Sequence, residues 1–303
     1  MRICSLLPAA TEMVYLLGIE DDLVGVTHEC DYPEAARSKP SVTATAVRQE
    51  GVDGRAIDRQ VGGLLHEHRS IYQLDLELIQ RLQPDLILTQ EICDVCAVSR
   101  EQVEEAAQQL YGTANVISLD PAILDDVIAD IARLGEIAGR EEEGRRQATL
   151  LSRRVDAVRQ SLPHGRQRPR VAFLEWLQPP LVAGHWIPQM VALAGGYDVF
   201  ATGGQPSRRI EWEELRTADP ELIFVAPCGF DLARAAGEYE RTALPEWWGE
   251  LKAVRDGRLF VIDGNAYTSR PGPRLVDGLE ILATVIRGAG LTSTRYGRDY
   301  ARL

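Results

Sequence analysis

Short apolar runs alternate with helix-period segments along this chain, and that alternation constrains the fold more than any other feature. Strands separated by helical segments call for βα units and mainly parallel sheets. In the first half the runs lie at residues 2–7, 23–26, 86–89 and 116–119. Helical patterns accompany them at residues 11–17, 75–81 and 101–110. The second half repeats the scheme with runs at 171–174, 222–225 and 259–262. Two phrases nearly duplicate one another, Leu82-Gln83-Pro84-Asp85-Leu86-Ile87-Leu88 and Ala218-Asp219-Pro220-Glu221-Leu222-Ile223-Phe224. In both, a helix ends before a proline and a buried strand follows, as the steric restriction on the residue before proline requires. The chain reads as two related α/β lobes.

Between the halves, Ile123 to Ala138 and Glu141 to Ser161 are helical in composition and are separated by Gly139. The second segment carries Leu150, Leu151, Val155 and Val158 on one apolar stripe. At about 1.5 Å per residue it makes a rod of roughly 30 Å, whereas a flexible hinge would use Gly, Ser and Pro. The expected organisation is therefore an N-terminal α/β lobe over residues 1–139, a bridging helix over 140–163 and a C-terminal α/β lobe over 164–303. Residues 45–75 are polar, with Gly51, Gly54, Gly62 and Gly63, and read as a long connection with functional potential.

Composition excludes several classes. A chain of 303 residues with 45% hydrophobic and 26% charged residues is an ordinary globular protein. Its 33 Lys and Arg against 45 Asp and Glu give a net charge of −12, with no basic run, which disfavours nucleic acid and anionic membrane surfaces as partners. No apolar stretch reaches the roughly 18 residues that a membrane span needs. Met1 leads straight into a strand-like run, so as written the chain shows no export signal and reads as cytoplasmic; a native start upstream would make it periplasmic or cell-surface. Five cysteines, an odd number, do not form a disulfide framework.

In open α/β sheets ligands bind beyond the carboxyl ends of the strands, so the loops there are the places to look. They hold Pro8, Ala9 and Thr11; His28, Glu29, Cys30, Asp31 and Tyr32; and Gln90 to Cys96. In the second half they hold Trp176, His185 and Trp186, and the segment Asn265 to Arg274 with Tyr267 and Arg270. Aromatic residues at strand ends suit a large, partly apolar ligand lying between the lobes. Nucleotide fingerprints and a nucleophile elbow are missing, so catalysis has little support and the chain reads as a binding protein and not an enzyme. A rival reading gathers His28, Cys30, Cys93 and Cys96 into a tetrahedral zinc site or a thiol redox pair. His66-Glu67-His68 is a weaker ligand cluster.

Ile3 to Gly18 (ICSLLPAATEMVYLLG), Val24 to Pro33 (VGVTHECDYP), Pro84 to Ile87, Gly195-Gly196 with Val199-Phe200, and Ser269 to Arg274 (SRPGPR) occur in an order that resembles a known family. It is that of the cobalamin-binding members of the helical-backbone periplasmic binding proteins, which deliver ligand to metal-chelate-type ABC importers. The resemblance implies two Rossmann-like lobes bridged by one long α-helix, with the ligand in the cleft between them. It implies cobalamin or a related corrinoid as ligand, no required cofactor, and contacts at Pro8, Ala9, Tyr32, Gln90, Trp176, Tyr267 and Arg270, to which the aromatic pattern alone adds Trp186. It further implies docking on an importer permease through Glu101 and Glu213. A ferric siderophore or haem is the alternative ligand for this fold; an anionic chelate would draw on Arg270 with Arg274, Arg208 and Arg209.

Overall fold

The computed structural model describes residues 1–49, 51–67, 69–90, 114–162, 165, 167–288 and 293–303. Two compact units result. The first comprises Met1–Val52, Ala56–Pro121 and Asp126–Thr149, the second Asp53–Arg55, Ala122–Asp125 and Leu150–Leu303.

The first unit is built from β1 (Ile3–Ser5), α1 (Pro8–Leu16), β2 (Leu23–Gly25), β3 (Thr43–Thr45), most of α2 (Gly54–His66), β4 (Tyr72–Leu74), α3 (Leu76–Leu82), β5 (Leu86–Thr89), β6 (Asn115–Ser118) and most of α4 (Leu124–Ile137). Its main sheet has the order β2-β1-β5-β6, and every pair in it is parallel. All four residues of β5 are buried, as expected of a strand covered on both faces. Cys4, Leu6, Val42, Ile79 and Ile87 pack together on one side. Residues 45–75 hold more order than their polarity suggests. β3 and β4 form a separate antiparallel pair, and α2 lies between them in sequence.

Next comes α5 (Glu141–Gln160), whose residues from Leu150 onward belong to the second unit. That unit continues with β7 (Arg170–Leu177), β8 (Pro180–Val182), α6 (Ile187–Leu193), β9 (Tyr197–Asp198), β10 (Arg208–Arg209), α7 (Trp212–Ala218), β11 (Leu222–Val225), α8 (Leu232–Arg241), α9 (Lys252–Arg255), β12 (Leu259–Ile262), α10 (Gly264–Tyr267), α11 (Leu275–Ile286) and β13 (Tyr300–Arg302). Strands β7, β11 and β12 form a parallel centre. Antiparallel β8, β10 and β13 extend it at the two edges, and β9 adds a short parallel pair to β7. These edge strands are two or three residues long, too short for a periodicity to reveal.

The duplicated phrase is a duplicated structure. α3 ends at Gln83 and α7 at Asp219, both in the left-handed region with φ of 43° and 37°. Each closes its helix with a backbone bond to the residue four before it, Ile79 and Leu215. The following proline cannot prolong the helix, so the chain turns into β5 or β11. Asp85 then donates its N–H to the Arg2 carbonyl as Glu221 does to that of Arg170, fixing the two strand starts alike.

Of the expected stripe on α5, Leu151, Val155 and Val158 are buried, whereas Leu150 is 41% exposed. Beside the buried face, Arg154 places its guanidinium against both carboxylate oxygens of Glu280 at 2.9 Å and against Asp277 at 2.9 Å, tying α5 to α11. Arg287 adds bonds to the Val158 carbonyl at 2.8 Å and Ser161 Oγ at 2.7 Å. At the other end of α5 the contact is backbone on backbone. Gly139, with φ of +67°, reverses the chain after α4. A Cβ on Gly135 would then stand 2.7 Å from Gly144 Cα, so neither glycine has room for a side chain. Gly144→Ala should cost about 1–2 kcal/mol, overpacking outweighing the gain in helix propensity. Gly62→Ala, in the open part of α2 with nothing within 4 Å, should gain up to about 1 kcal/mol. Urea denaturation of the two variants at neutral pH reads the difference in sign.

Candidate functional site

In the first unit the parallel order sends the chain out of β1, β2 and β5 at one edge of the sheet. Pro8 follows within three residues of the end of β1 and opens α1, with Leu7 as N-cap and Pro at the start where a missing N–H costs nothing. Thr11 lies buried within α1. Its hydroxyl donates to Ser5 Oγ at 2.9 Å, and Ser5 Oγ donates to the Leu7 carbonyl at 2.9 Å. Since the Thr11 proton is committed to Ser5, the 3.1 Å contact between Thr11 Oγ1 and Cys30 Sγ has the thiol as donor. A buried relay thus runs from Cys30 through Thr11 and Ser5 to the backbone, locking the β2 exit loop against the start of α1.

The candidates of this unit divide by exposure. Pro8, Ala9 and Gln90 are buried, while Tyr32 is 48% exposed. Gln90 directly follows β5, whose Leu88 pairs with Ser5, so its position neighbours the start of α1. His28 places Nδ1 2.7 Å from Thr43 Oγ1 and its ring 5.8 Å from that of Tyr72. Among the described residues no group of three or more His, Cys, Asp or Glu side chains could hold a metal ion. Cys93 and Cys96, the other half of the expected thiol cluster, lie outside the described residues, as do Glu101 and the expected 101–110 helix. His66 sits exposed in the last turn of α2, and His68 lies outside the described residues.

The second unit gathers its aromatic residues at the carboxyl edge of β7, β11 and β12. Trp176 is within β7, not in a loop after it, because the strand runs on to Leu177 before Gln178-Pro179 turns it into β8. Its ring meets Phe230, beyond β11, edge-on with centroids 5.2 Å apart. Arg234 lies over the other ring of that pair, its guanidinium carbon 3.7 Å from the Phe230 centroid. Such a cation on an aromatic face fixes the ring's tilt as well as adding attraction. Trp176 Nε1 donates to the Gly54 carbonyl at 3.3 Å, and Gly54 N–H donates to Glu238 Oε1 at 2.7 Å.

Beyond β12, Asp263 caps α10 by accepting from Ala266 N, which sets Tyr267 in the last turn. Tyr267 is half-buried. Burial, reinforced by the nearby Asp299 carboxylate to which it donates, pushes its phenol up to about 12, so it is neutral at physiological pH. On Asp299, burial works to raise the carboxyl, but bonds from Arg298 and Tyr267 outweigh it and hold the group below its ordinary value. Arg270 is partly exposed on the same segment. Trp186 is 6% exposed, with its Nε1–H committed to the Thr268 carbonyl at 2.8 Å, so it braces this segment from beneath. Glu213 stands exposed in the first turn of α7, 3.8 Å from Arg216.

Glu238, Phe230 and Arg234 carry no expectation from the sequence, and Gly54 stood there only as one glycine of the 45–75 connection. One signal was present for Glu238. On α8, Ala235, Glu238, Tyr239 and Thr242 recur at the spacing of one helix face, which places a carboxylate in an otherwise inward row. The expected outcome for the Tyr267–Asp299 pair is a pH-dependent cost. Tyr267→Phe should lose about 1 kcal/mol at pH 7, less than the roughly 1.5–3 kcal/mol of a bond to a charged acceptor because the phenol is half-exposed. Because the Asp299 carboxyl is depressed in the fold, this stabilisation is complete above the unfolded carboxylate range and fades as pH falls through the folded value. Denaturation curves of the variant and wild type should therefore converge in acid.

The vitamin B12-binding protein of Vibrio cholerae serotype O1 is 25% identical over 289 residues, spanning 94% of this chain and 89% of that one. The solved structure of the periplasmic vitamin B12 binding protein BtuF of Vibrio cholerae superposes with a TM-score of 0.70 at 22% identity, covering 95% of this chain and 97% of that one. The periplasmic heme-binding protein RhuT from Roseiflexus sp. RS-1 gives the same TM-score and identity, with 95% and 98% covered, so one fold serves both. The pattern of the periplasmic binding protein family matches residues 3–266, and the chain belongs to that family.

Proposed function

We propose that the protein binds cobalamin or a related corrinoid, without altering it chemically, as the receptor component of an ABC importer. The similarity to a vitamin B12-binding protein along nearly the full length of both chains carries this reading. Physical chemistry supports it. A corrin has two broad faces that need apolar cover and a rim of amides that need hydrogen bonds. The second unit offers the part-exposed ring of Trp176, the neutral phenol of Tyr267 and the guanidinium of Arg270. The first unit offers the exposed ring of Tyr32, with Pro8, Ala9 and Gln90 at the edge of its sheet. Trp186 supports the Tyr267 segment from below.

The proposed setting is the periplasm or the outer cell surface, in keeping with the family to which the chain belongs. Among the described residues no helix is long and apolar enough to cross a membrane. Glu213, exposed at the start of α7, is the docking residue proposed for a permease, together with Glu101. No cofactor is required in this reading. Removal of metal by a chelator should leave the unfolding temperature unchanged; zinc released together with loss of folding would instead favour a site at His28, Cys30, Cys93 and Cys96.

Calorimetric titration with cyanocobalamin, with haem and a ferric siderophore as comparisons, tests the ligand. Saturable one-to-one binding of cyanocobalamin is expected, weakened about tenfold, or about 1.4 kcal/mol, by Trp176→Ala and by Tyr267→Ala. Tight binding of haem or the siderophore with no heat from cyanocobalamin would overturn the proposal.

A further inference from the structure

Gly54 is held on both sides by the second unit, to which it belongs. Its N–H donates to Glu238 Oε1 at 2.7 Å, and its carbonyl accepts from Trp176 Nε1 at 3.3 Å. Glu238 is 3% exposed, and its other oxygen lies 3.4 Å from Arg241. A buried carboxylate is costly unless paired and hydrogen-bonded, and here one oxygen faces a cation while the other takes a backbone N–H. That N–H opens α2, where the first donors lack intrahelical partners, so the carboxylate meets a donor that the helix cannot satisfy. A side chain at the junction would force Glu238 to shift. A Cβ on Gly54 would stand 2.6 Å from Glu238 Oε1 and 3.3 Å from Trp176 Cζ2.

The consequence falls on the Trp176 ring. Nε1 and Cζ2 lie along the same edge of the indole, so Gly54 abuts that edge while Phe230 meets the ring in a T-shaped contact. Rotation about the side-chain torsions would break the bond to Gly54 or collide with it. A ring held in this way pays little conformational entropy when a flat ligand stacks on it, which is the usual source of affinity from preorganisation.

We infer that Glu238 is a positioning residue for ligand binding, acting on Trp176 through the backbone of Gly54. The inference rests on the reading of Trp176 as a ligand contact and adds to it the group that orients the ring. Glu238→Ala should weaken cyanocobalamin about five- to tenfold. Glu238→Gln keeps an acceptor for the Gly54 N–H and should stay within about twofold of wild type. Gly54→Ala, which leaves every charge in place, should resemble Glu238→Ala. The distinguishing measurement is the same set of substitutions made in Trp176→Phe, which has no ring N–H. There Glu238→Ala should have no further effect on affinity, whereas an equal loss in both backgrounds would mean a merely structural role and would overturn the inference. Near-ultraviolet circular dichroism without ligand separates this claim from the ligand assignment. The difference between wild type and Trp176→Phe is the Trp176 signal, and Glu238→Ala and Gly54→Ala should each reduce it. An unchanged Trp176 signal in both variants overturns the positioning role whatever the protein binds. A reduced signal in a protein that ignores cyanocobalamin would retain the positioning role and refute the ligand. Should Glu238→Ala fail to fold, Gly54→Ala carries the same two readouts.

Discussion

Burial of the central strands on both faces is the constraint on which the rest of the structure depends. β5 and β11 have all four residues buried, so each must be covered by helices above and below, and helices between successive strands make those strands parallel. Parallel strands deliver their carboxyl ends to one edge. That is why residues as distant in sequence as Trp176, Phe230 and Tyr267 follow or end neighbouring strands of one sheet, and why Pro8 and Gln90 do so in the other. The chemistry is collected by topology before any side chain contributes.

The helices α4 and α5, between the two halves of the chain, are secured by different means. Gly135 and Gly144 let α4 and α5 touch through their backbones, so dispersion between main chains replaces side-chain interdigitation. Further along α5 the attachment is ionic, with Arg154 and Arg295 sharing Asp277 and Glu280. These side chains are 25–37% exposed, which spares them most of the desolvation cost of a buried pair. Apolar packing by Leu151, Val155 and Val158 completes the joint.

Most of the α/β frame was legible because its signals are long or repeated. Seven strands and the α4–α5 helical pair stand where alternation and the two proline-centred phrases placed them, since a run of four apolar residues after Pro-Asp or Pro-Glu has few other outcomes. The short edge strands β8, β9, β10 and β13 left no period to read, and the β3–β4 pair was masked by the polarity of the chain between its members. Among the candidate residues, Trp176 and Tyr267 announced themselves as aromatic residues at strand ends. Glu238 and Gly54 did not, because 184 residues separate the two and their value lies in a contact that no local pattern encodes. Trp186 looked like its neighbours in sequence, yet a 2.8 Å bond to the Thr268 carbonyl turns its polar tip inward.

Recognition by such a site would rest on surfaces that exist before the ligand arrives. Trp176 is fixed by Gly54 and Phe230, and Tyr267 by Asp299, so the ordering cost of binding is largely met by folding. The most direct measurement is a crystal structure of the protein grown with cyanocobalamin. The corrin should stack or edge-pack on Trp176, with Tyr267 and Arg270 at its amide rim. A corrin bound away from Trp176 and Tyr267 would contradict this arrangement.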